Sequence, residues 1–150
     1  TGNTLVLYQY VDKHGKLLYD LINKDDRKVF FIYGKTDVEI REEVRHIMEK
    51  ETNAIIVASY GTTSTGVNIR NLHNVIFASP SKSKIRNLQS IGRSLRTSET
   101  KTSAVLYDIA DDLRHNKKEN YTLKHLNERV KIYSEEKFSF KLYKIDLKGN

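Results

Sequence analysis

Short runs of β-branched and aromatic residues alternate with amphipathic segments along most of this chain. The strongest run is Ala54–Ser59; the others are Thr4–Tyr10, Lys28–Tyr33, Asn74–Ser79 and Ala104–Ile109. Runs that are nearly continuously apolar are typical of strands covered on both faces. The alternation therefore predicts an α/β fold, in which a twisted, mostly parallel sheet carries helices on both faces.

Helical spacing of apolar residues marks two segments between the early strands. The first helix is predicted to begin at Asp12 as its N-cap and to bury Leu17, Leu18, Leu21 and Ile22. The second covers Asp37–Lys50, with Thr36 and Glu39 as a capping box, and is predicted to bury Ile40, Val44, Ile47 and Met48.

The last forty residues are predicted to be a C-terminal extension of the same domain. After a polar loop at 111–120, Tyr121–Lys137 has helical spacing, with Leu123, Leu126, Val130 and Tyr133 on one face. His125 and Arg129 lie one turn apart on this helix, and we expect an intramolecular polar contact for them. Phe138–Leu147 alternates apolar residues loosely with lysine, which predicts an edge strand.

Composition limits the classes of partner. A chain of 150 residues is sized for one compact domain, here 1–150 with 111–150 as its extension. The excess of Lys and Arg over Asp and Glu, 26 − 19 = +7, favours a polyanionic partner, nucleic acid first. Without cysteine, thiolate metal sites and disulfides are excluded, and the five His residues lack metal-ligand spacing.

Neither a run of membrane-spanning length nor a signal peptide is visible in the sequence. The chain begins almost directly in the strand-like run Leu5–Tyr10, so we expect a domain of a longer polypeptide.

A helix that begins after Ser83 carries two different faces. Ile85, Leu88, Ile91 and Leu95 gather on one side and can be buried. Gln89, Arg93 and Arg96 form a second face, beside Gly92, which is costly inside a helix. Two guanidiniums and an amide on one face are suited to bind a phosphate group; the alternative is an ordinary solvated face.

The segment Ser59–Asn68 is rich in glycine and hydroxyl side chains, and we predict it to be a loop. Glycines allow backbone N–H groups to approach a ligand, and hydroxyls can hold a phosphodiester without reading its sequence. The alternative is a plain connecting loop whose small residues satisfy turn geometry. The sequence contains no P-loop and no acidic magnesium motif, so a nucleotide cradle and its metal ligands are expected outside this chain.

These segments all follow strand ends. Gln9, Gly34–Thr36, Ser59–Asn68 and the arginine-bearing helix each come after a predicted strand. In parallel sheets, ligands bind at the carboxyl ends of the strands. We therefore expect the candidate residues to share one edge of the sheet.

The motifs carry a family resemblance. Gln89–Arg96 resembles motif VI of superfamily-two helicases, Q-x-x-G-R-x-x-R, and Ser59–Asn68 resembles motif V. Leu5–Tyr10 is similar to motif IV. Phe31–Thr36, together with Arg41, is similar to the segment between motifs IV and V. Order and spacing agree over Thr4–Ile109, and the whole chain is similar to the recombination and repair helicases of T-even bacteriophages.

The resemblance implies a role for each matching residue. Arg96 and Arg93 match the arginines that reach the γ-phosphate of ATP, with Arg96 as the finger. ATP-site positions match Gln89, Gly92, Gly66 and Asn68, although Asn68 departs from the commoner Asp. Positions that contact the nucleic-acid backbone match Tyr8, Gln9, Gly34, Lys35, Thr36, Ser59, Tyr60, Gly61, Thr62 and Thr65.

By resemblance, the chain is the second, C-terminal RecA-like lobe of an ATP-dependent DNA helicase. The implied substrates are single-stranded and branched DNA in recombination, repair and replication restart, with three-prime to five-prime travel in the host cytoplasm. ATP with Mg²⁺ would bind against a first lobe, so this lobe alone is expected to be inactive. The alternatives are a passive basic nucleic-acid-binding module, a translocase that does not separate strands, and a small-molecule α/β enzyme.

Overall fold

A computed structural model describes residues 2–24, 26–64, 69, 71–79, 104–113, 118 and 120–146. They include a five-stranded sheet in the order β2-β3-β1-β4-β5, and every neighbouring pair is parallel. The strands are β1 Thr4–Tyr8, β2 Val29–Ile32, β3 Ile55–Ser59, β4 Asn74–Phe77 and β5 Val105–Asp108. The predicted parallel α/β sheet is confirmed.

Both faces of the sheet are covered. All residues of β1 and β3 are buried, and alternate side chains enter two separate apolar clusters. Leu5 and Leu7 belong to one cluster, and Val6 and Tyr8 belong to the other. Since successive strand residues point to opposite faces, this division explains the nearly continuous apolar runs in the sequence.

Among the described residues, four α-helices and one π-helical turn accompany the sheet. After the π-helical turn Val11–Gly15 they are α1 Lys16–Ile22, α2 Val38–Lys50, α3 Tyr60–Ser64 and α4 Tyr121–Glu135. Leu18 and Ile22 of α1 pack on one cluster, whereas α2 and α4 contribute to the other, so helices lie on both faces. None of the described helices is long and apolar enough to span a bilayer.

The first helix differs from its prediction in its start and in its buried face. Tyr10 is the N-cap, without a side-chain cap bond, and Asp12 instead pairs with Lys16. Leu17 and Leu21 are 60% and 66% exposed. The buried face is set by Gly15, which lies against Tyr8. Around the axis of an α-helix, positions 18, 19 and 22 lie within about 60° of position 15 and so face the sheet with it. Leu17 and Leu21 lie on the opposite side of the helix.

Three further sequence predictions are wrong near α2 and α3. Asp37, not Thr36, is the N-cap of α2, and the Thr36 hydroxyl accepts a bond from the N–H of Tyr33 instead of closing a capping box. Ile40 is exposed, although Val44 and Met48 are buried as predicted. The predicted loop after β3 starts as the helix α3, whose first residue, Tyr60, packs its ring against Phe77.

The predicted edge strand over Phe138–Leu147 is also wrong for its described part. Lys137 takes a left-handed φ of 57° that ends the turn after α4, and residues 138–146 are exposed and form no strand. Apolar residues recur at 138, 140 and 142, but Ile145 falls on the other face, so neither face of such a strand would be apolar.

Candidate nucleic-acid interface

The carboxyl ends of four neighbouring strands bring the described candidate residues together. In the order β2-β3-β1-β4, these strands are followed by Gly34–Thr36, Tyr60–Thr62, Gln9 and Ser79. The register places Tyr8 beside Ser59 and Leu7 beside Phe77, so the segments that follow them begin at the same level. One edge of the sheet thus carries all of the described candidate residues.

The turn after β2 is held from within the chain. The Thr36 N–H donates to the Tyr33 carbonyl at 2.9 Å, and the Thr36 hydroxyl accepts from the Tyr33 N–H at 3.0 Å. Arg41 of α2 donates to the carbonyls of Thr36 and Gly34, each at 2.8 Å. This arrangement leaves Gly34 and Lys35 exposed at the end of the sheet.

The corner between β3 and α3 is built from buried side chains. The hydroxyls of Ser59 and Thr62 lie 2.6 Å apart, and the Tyr60 hydroxyl donates to the Ser79 carbonyl at 3.1 Å. Burial raises the pKa of Tyr60, so its phenol is neutral at physiological pH. Because these three side chains face inward, Gly61 is the exposed residue of this corner.

Gly34 and Gly61 have space around them. A Cβ on either residue would meet no atom of the described residues within 4 Å, and neither residue has a positive φ. Neither internal packing nor backbone conformation therefore requires glycine at these two positions. Glycine at such open positions leaves room for a ligand to approach the backbone closely.

The two candidate residues at the end of β1, Tyr8 and Gln9, differ in how deeply they are buried. The Tyr8 side chain is fully buried, with its hydroxyl 3.3 Å from the Ile32 carbonyl, so its ring does not reach the surface. Gln9 is half-buried, and its N–H donates to the Ser79 hydroxyl at 2.9 Å. Its Oε1 is buried without a hydrogen-bond partner in the described part of the chain.

Charged residues border this edge on the side of the π-helical turn. Lys16 lies 2.6 Å from Asp12. The hydrogen bond and charge of Lys16 lower the pKa of Asp12, and the charge of Lys35 lowers it further. The three charges are thus close to one another, with two cations and one anion at the exposed end of the sheet.

The remaining candidates lie outside the described residues. They are Arg93, Arg96, Gln89, Gly92, Gly66, Asn68 and Thr65. Within the described ranges, no group of three or more His, Asp or Glu side chains could hold a metal ion.

Ser79 also belongs to this edge, although no sequence motif marked it. Its hydroxyl and carbonyl join Gln9 to Tyr60, and so connect the ends of β1 and β3 with the end of β4. The available signal was a serine between an apolar run and Pro80, where a strand must end.

The fold and this edge define a class of protein. The family model described as "Helicase conserved C-terminal domain" matches residues 1–98, and the chain belongs to that family. The ATP-dependent DNA helicase uvsW of Enterobacteria phage T4 is 39% identical to this chain over 155 residues, which cover 97% of the chain and 31% of that protein. The chain thus spans less than a third of the relative's length.

Solved structures agree on the fold. The crystal structure of T4 UvsW matches with a TM-score of 0.72 and 40% identity, over 91% of this chain and 30% of that one. Domain 2 of the DEAD-box helicase Mss116p, solved bound to an RNA duplex, matches with a TM-score of 0.58 and 18% identity, over 74% of this chain and 43% of that one. The family resemblance is confirmed, and the fold is the RecA-like fold of helicase C-terminal lobes.

Proposed function

We propose that this chain is the C-terminal motor lobe of an ATP-dependent DNA helicase. The observation that carries the proposal is the pair of open glycines at the carboxyl edge of a helicase-family domain, Gly34 in the turn after β2 and Gly61 in α3 after the neighbouring strand β3. A passive basic module is the weaker proposal, because it would have no use for the arginine-bearing segment Gln89–Arg96.

The open glycines support contact with a nucleic-acid backbone. A phosphodiester strand would cross the ends of β2, β3 and β1, where the exposed Lys35 neutralises phosphate and backbone N–H groups donate to it. Thr65 would extend the same surface. Such contacts do not read bases, so binding is expected to be independent of sequence and sensitive to salt.

ATP hydrolysis would use the arginines of motif VI. Arg96 and Arg93 would stabilise charge on the transferring phosphoryl group, an effect worth about 10³–10⁵ in rate for arginine fingers. Gln89, Gly92, Gly66 and Asn68 would line this lobe's side of the nucleotide site. Mg²⁺, when bound, would neutralise phosphate charge; its ligands and the P-loop would belong to a first RecA-like lobe, so this lobe alone would not hydrolyse ATP.

The substrates proposed for the whole enzyme are single-stranded and branched DNA, in recombination, repair and replication restart. The phage relative is an ATP-dependent DNA helicase, which supports DNA as the substrate, and the resemblance of the sequence motifs supports branched DNA and these processes. Closure of two lobes on ATP and opening after hydrolysis would move their grips along one strand.

The test replaces the proposed finger in a two-lobe enzyme that contains this chain. Arg96→Ala is expected to lower DNA-stimulated ATP hydrolysis by about 10³-fold or more, with an unchanged circular dichroism spectrum. The matched control is Arg45→Ala, which removes an arginine from the exposed face of α2. Turnover near that of the parent in Arg96→Ala would contradict the role, and a strand-displacement assay would separate helicase from translocase.

A further inference from the structure

A buried ion pair joins α4 to the last strand. Arg129 places Nε 2.5 Å and Nη2 2.8 Å from the two carboxylate oxygens of Asp108, and the Tyr133 hydroxyl donates to the same carboxylate at 2.7 Å. Arg129 is 1% exposed, and its Nη1 has no hydrogen-bond partner within the described ranges. The predicted contact of Arg129 with His125 is thus replaced by one with Asp108.

This cluster of Asp108, Arg129 and Tyr133 lies behind the candidate interface. Tyr133 belongs to the same apolar cluster as Tyr60 and Phe77, and the rings of Tyr60 and Phe77 are 5.9 Å apart. Burial raises the pKa of Tyr60, and the charge of Asp108 raises it further while that of Arg129 lowers it. The Tyr60 phenol is therefore within electrostatic reach of the ion pair.

A chain of hydrogen bonds continues from Tyr60 to the exposed edge. The Tyr60 hydroxyl donates to the Ser79 carbonyl, and the Ser79 hydroxyl accepts from the N–H of Gln9. Tyr60 is also the first residue of α3, which carries the open Gly61. A displacement of Tyr60 would therefore move α3 and the ends of β1 and β4 together.

Stability alone does not account for such a cluster. Removing two charges from water costs several kcal/mol each, and well-packed apolar side chains in their place often give equal or greater stability. The two-pronged guanidinium–carboxylate contact does fix one geometry, because both N–H groups must meet both oxygens.

We propose that Asp108 and Arg129 are positioning residues, which hold Tyr60, and with it α3, in the arrangement that binds a nucleic-acid backbone. The inference rests on the proposed function. It makes β5 and α4 part of the binding machinery, although the family model ends at residue 98. Arg129 itself is buried and does not contact the nucleic acid.

The test uses this chain and the double variant Asp108→Leu with Arg129→Met. The variant removes one charge of each sign, so the net charge of +7 and the long-range field are preserved. Binding of a dye-labelled oligothymidine is measured by fluorescence anisotropy over a range of salt concentrations, and hydrogen exchange is measured at the amides of α3.

For the variant we expect a Kd about five- to tenfold higher, faster exchange in α3 and an unchanged thermal midpoint. The slope of log Kd against log salt stays the same, because no phosphate-contacting cation is lost. If Arg129 contacted phosphate directly, its loss would change that slope. If the pair had a purely structural role, only the thermal midpoint would change. The exposed pair on α2 provides the control, and Glu42→Gln with Arg45→Gln is expected to leave Kd and exchange unaltered.

Two results distinguish the proposals. If the parent chain binds the oligonucleotide and the double variant binds equally well, with unchanged exchange in α3, the positioning role is overturned and the proposed function stands. If the parent chain does not bind, the proposed interface fails, while exchange in α3 still reports on positioning. Should the double variant not fold, Tyr133→Phe, which removes one hydroxyl from the cluster, is judged by the same criteria.

Discussion

The ring of Tyr8 lies directly against Gly15, where a Cβ would be only 2.4 Å from Cζ of the tyrosine. The ring cannot retreat easily, since it is fully buried, stacks on Phe31 at 5.8 Å and bonds through its hydroxyl to the Ile32 carbonyl. This contact sets how closely the π-helical turn and α1 approach the sheet. It also explains which face of α1 is buried.

Gly15→Ala is therefore expected to destabilise the fold by about 1–3 kcal/mol, because the added methyl overpacks the site. For a chain of this size, that loss corresponds to a fall in Tm of roughly 2–12 °C. Thermal and urea denaturation measure it. Gly34→Ala is the control and should leave stability unchanged or slightly higher, since its Cβ has room. Equal effects of the two substitutions would contradict the packing argument.

The open glycines make a second prediction about binding. Gly34→Val with Gly61→Val is expected to weaken binding of single-stranded DNA about tenfold or more, because the side chains occupy the space proposed for the phosphodiester; tenfold is about 1.4 kcal/mol. Anisotropy titration measures the effect.

The control for that pair is Thr52→Val, an exposed position just before β3, at the opposite edge of the sheet. It places a valine at an exposed position away from the proposed path of the strand, and it should bind as the parent does. If the double glycine variant also binds normally while remaining folded, the strand does not pass over these turns.

Arg41 provides a third prediction, because it holds both Gly34 and Thr36 by their carbonyls. Arg41→Lys keeps the charge but loses the two-pronged geometry, so the turn should exchange its amide hydrogens faster and bind DNA several-fold more weakly. Arg45→Lys on the same helix is the matched control. Unchanged exchange at residues 33–36 in Arg41→Lys would show that the turn is stable without that support.

Asn3 provides a prediction at the opposite edge. Its buried amide nitrogen donates to the carbonyls of Met48, Glu51 and Asn71, and its Oδ1 accepts from the N–H of Ala54. Asn3→Asp removes these donors and brings a negative charge to the carboxyl end of α2, so we expect a loss of about 2–4 kcal/mol.

Urea denaturation measures the loss in Asn3→Asp, with Asn53→Asp, at an exposed position of the same edge, as the control. Because burial raises the folded-state pKa of the new carboxyl above its unfolded value of about 4, the deficit in Asn3→Asp should shrink as the pH falls from that raised pKa to about 4 and should stay constant below it. A loss of unfolding free energy that does not change with pH would instead come from the missing side-chain N–H donors alone.

Buried tyrosines predict the behaviour at alkaline pH. Burial raises the pKa of Tyr8, Tyr60 and Tyr133 above the usual value of 10.0. Since the folded-state pKa is the higher one, their stabilising contribution is complete below pH 10 and is lost as the pH rises above it. Absorbance at the tyrosinate band should show these three tyrosines ionising only with unfolding, and urea should remove that delay. Tyr8→Phe should reduce the delayed group to two.

The sequence predicted the sheet well because its signal is simple. Buried parallel strands must be apolar on both faces, and β1 and β3 show that composition directly. The shared edge of Gly34 and Gly61 followed from chain direction alone, since the carboxyl ends of parallel strands meet. Helix faces were less predictable, because Leu17 and Leu21 have the same spacing as Leu18 and Ile22, and only the contact of Gly15 with Tyr8 selects between them.

The long-range polar contacts had no signal in the sequence. Asp108 and Arg129 are 21 residues apart, and either could have been an ordinary surface charge. The same holds for Ser79 and Gln9, which are 70 residues apart. Tyr8 was assigned to the nucleic-acid surface by resemblance to a motif, but a motif position does not say whether the side chain or the backbone makes the contact.

Strand order has a consequence for synthesis on the ribosome. The strand of this sheet that is translated first, β1, lies in its middle. Its two neighbours are β3, where Ile55 pairs with Thr4, and β4, where Asn74 pairs with Thr4, and both follow much later in the sequence. A nascent chain therefore carries the apolar segment Thr4–Tyr8 without either hydrogen-bonding neighbour until β3 has emerged. Half of its backbone groups wait longer still, for β4, so the sheet cannot be completed until β4 and β5 have also emerged.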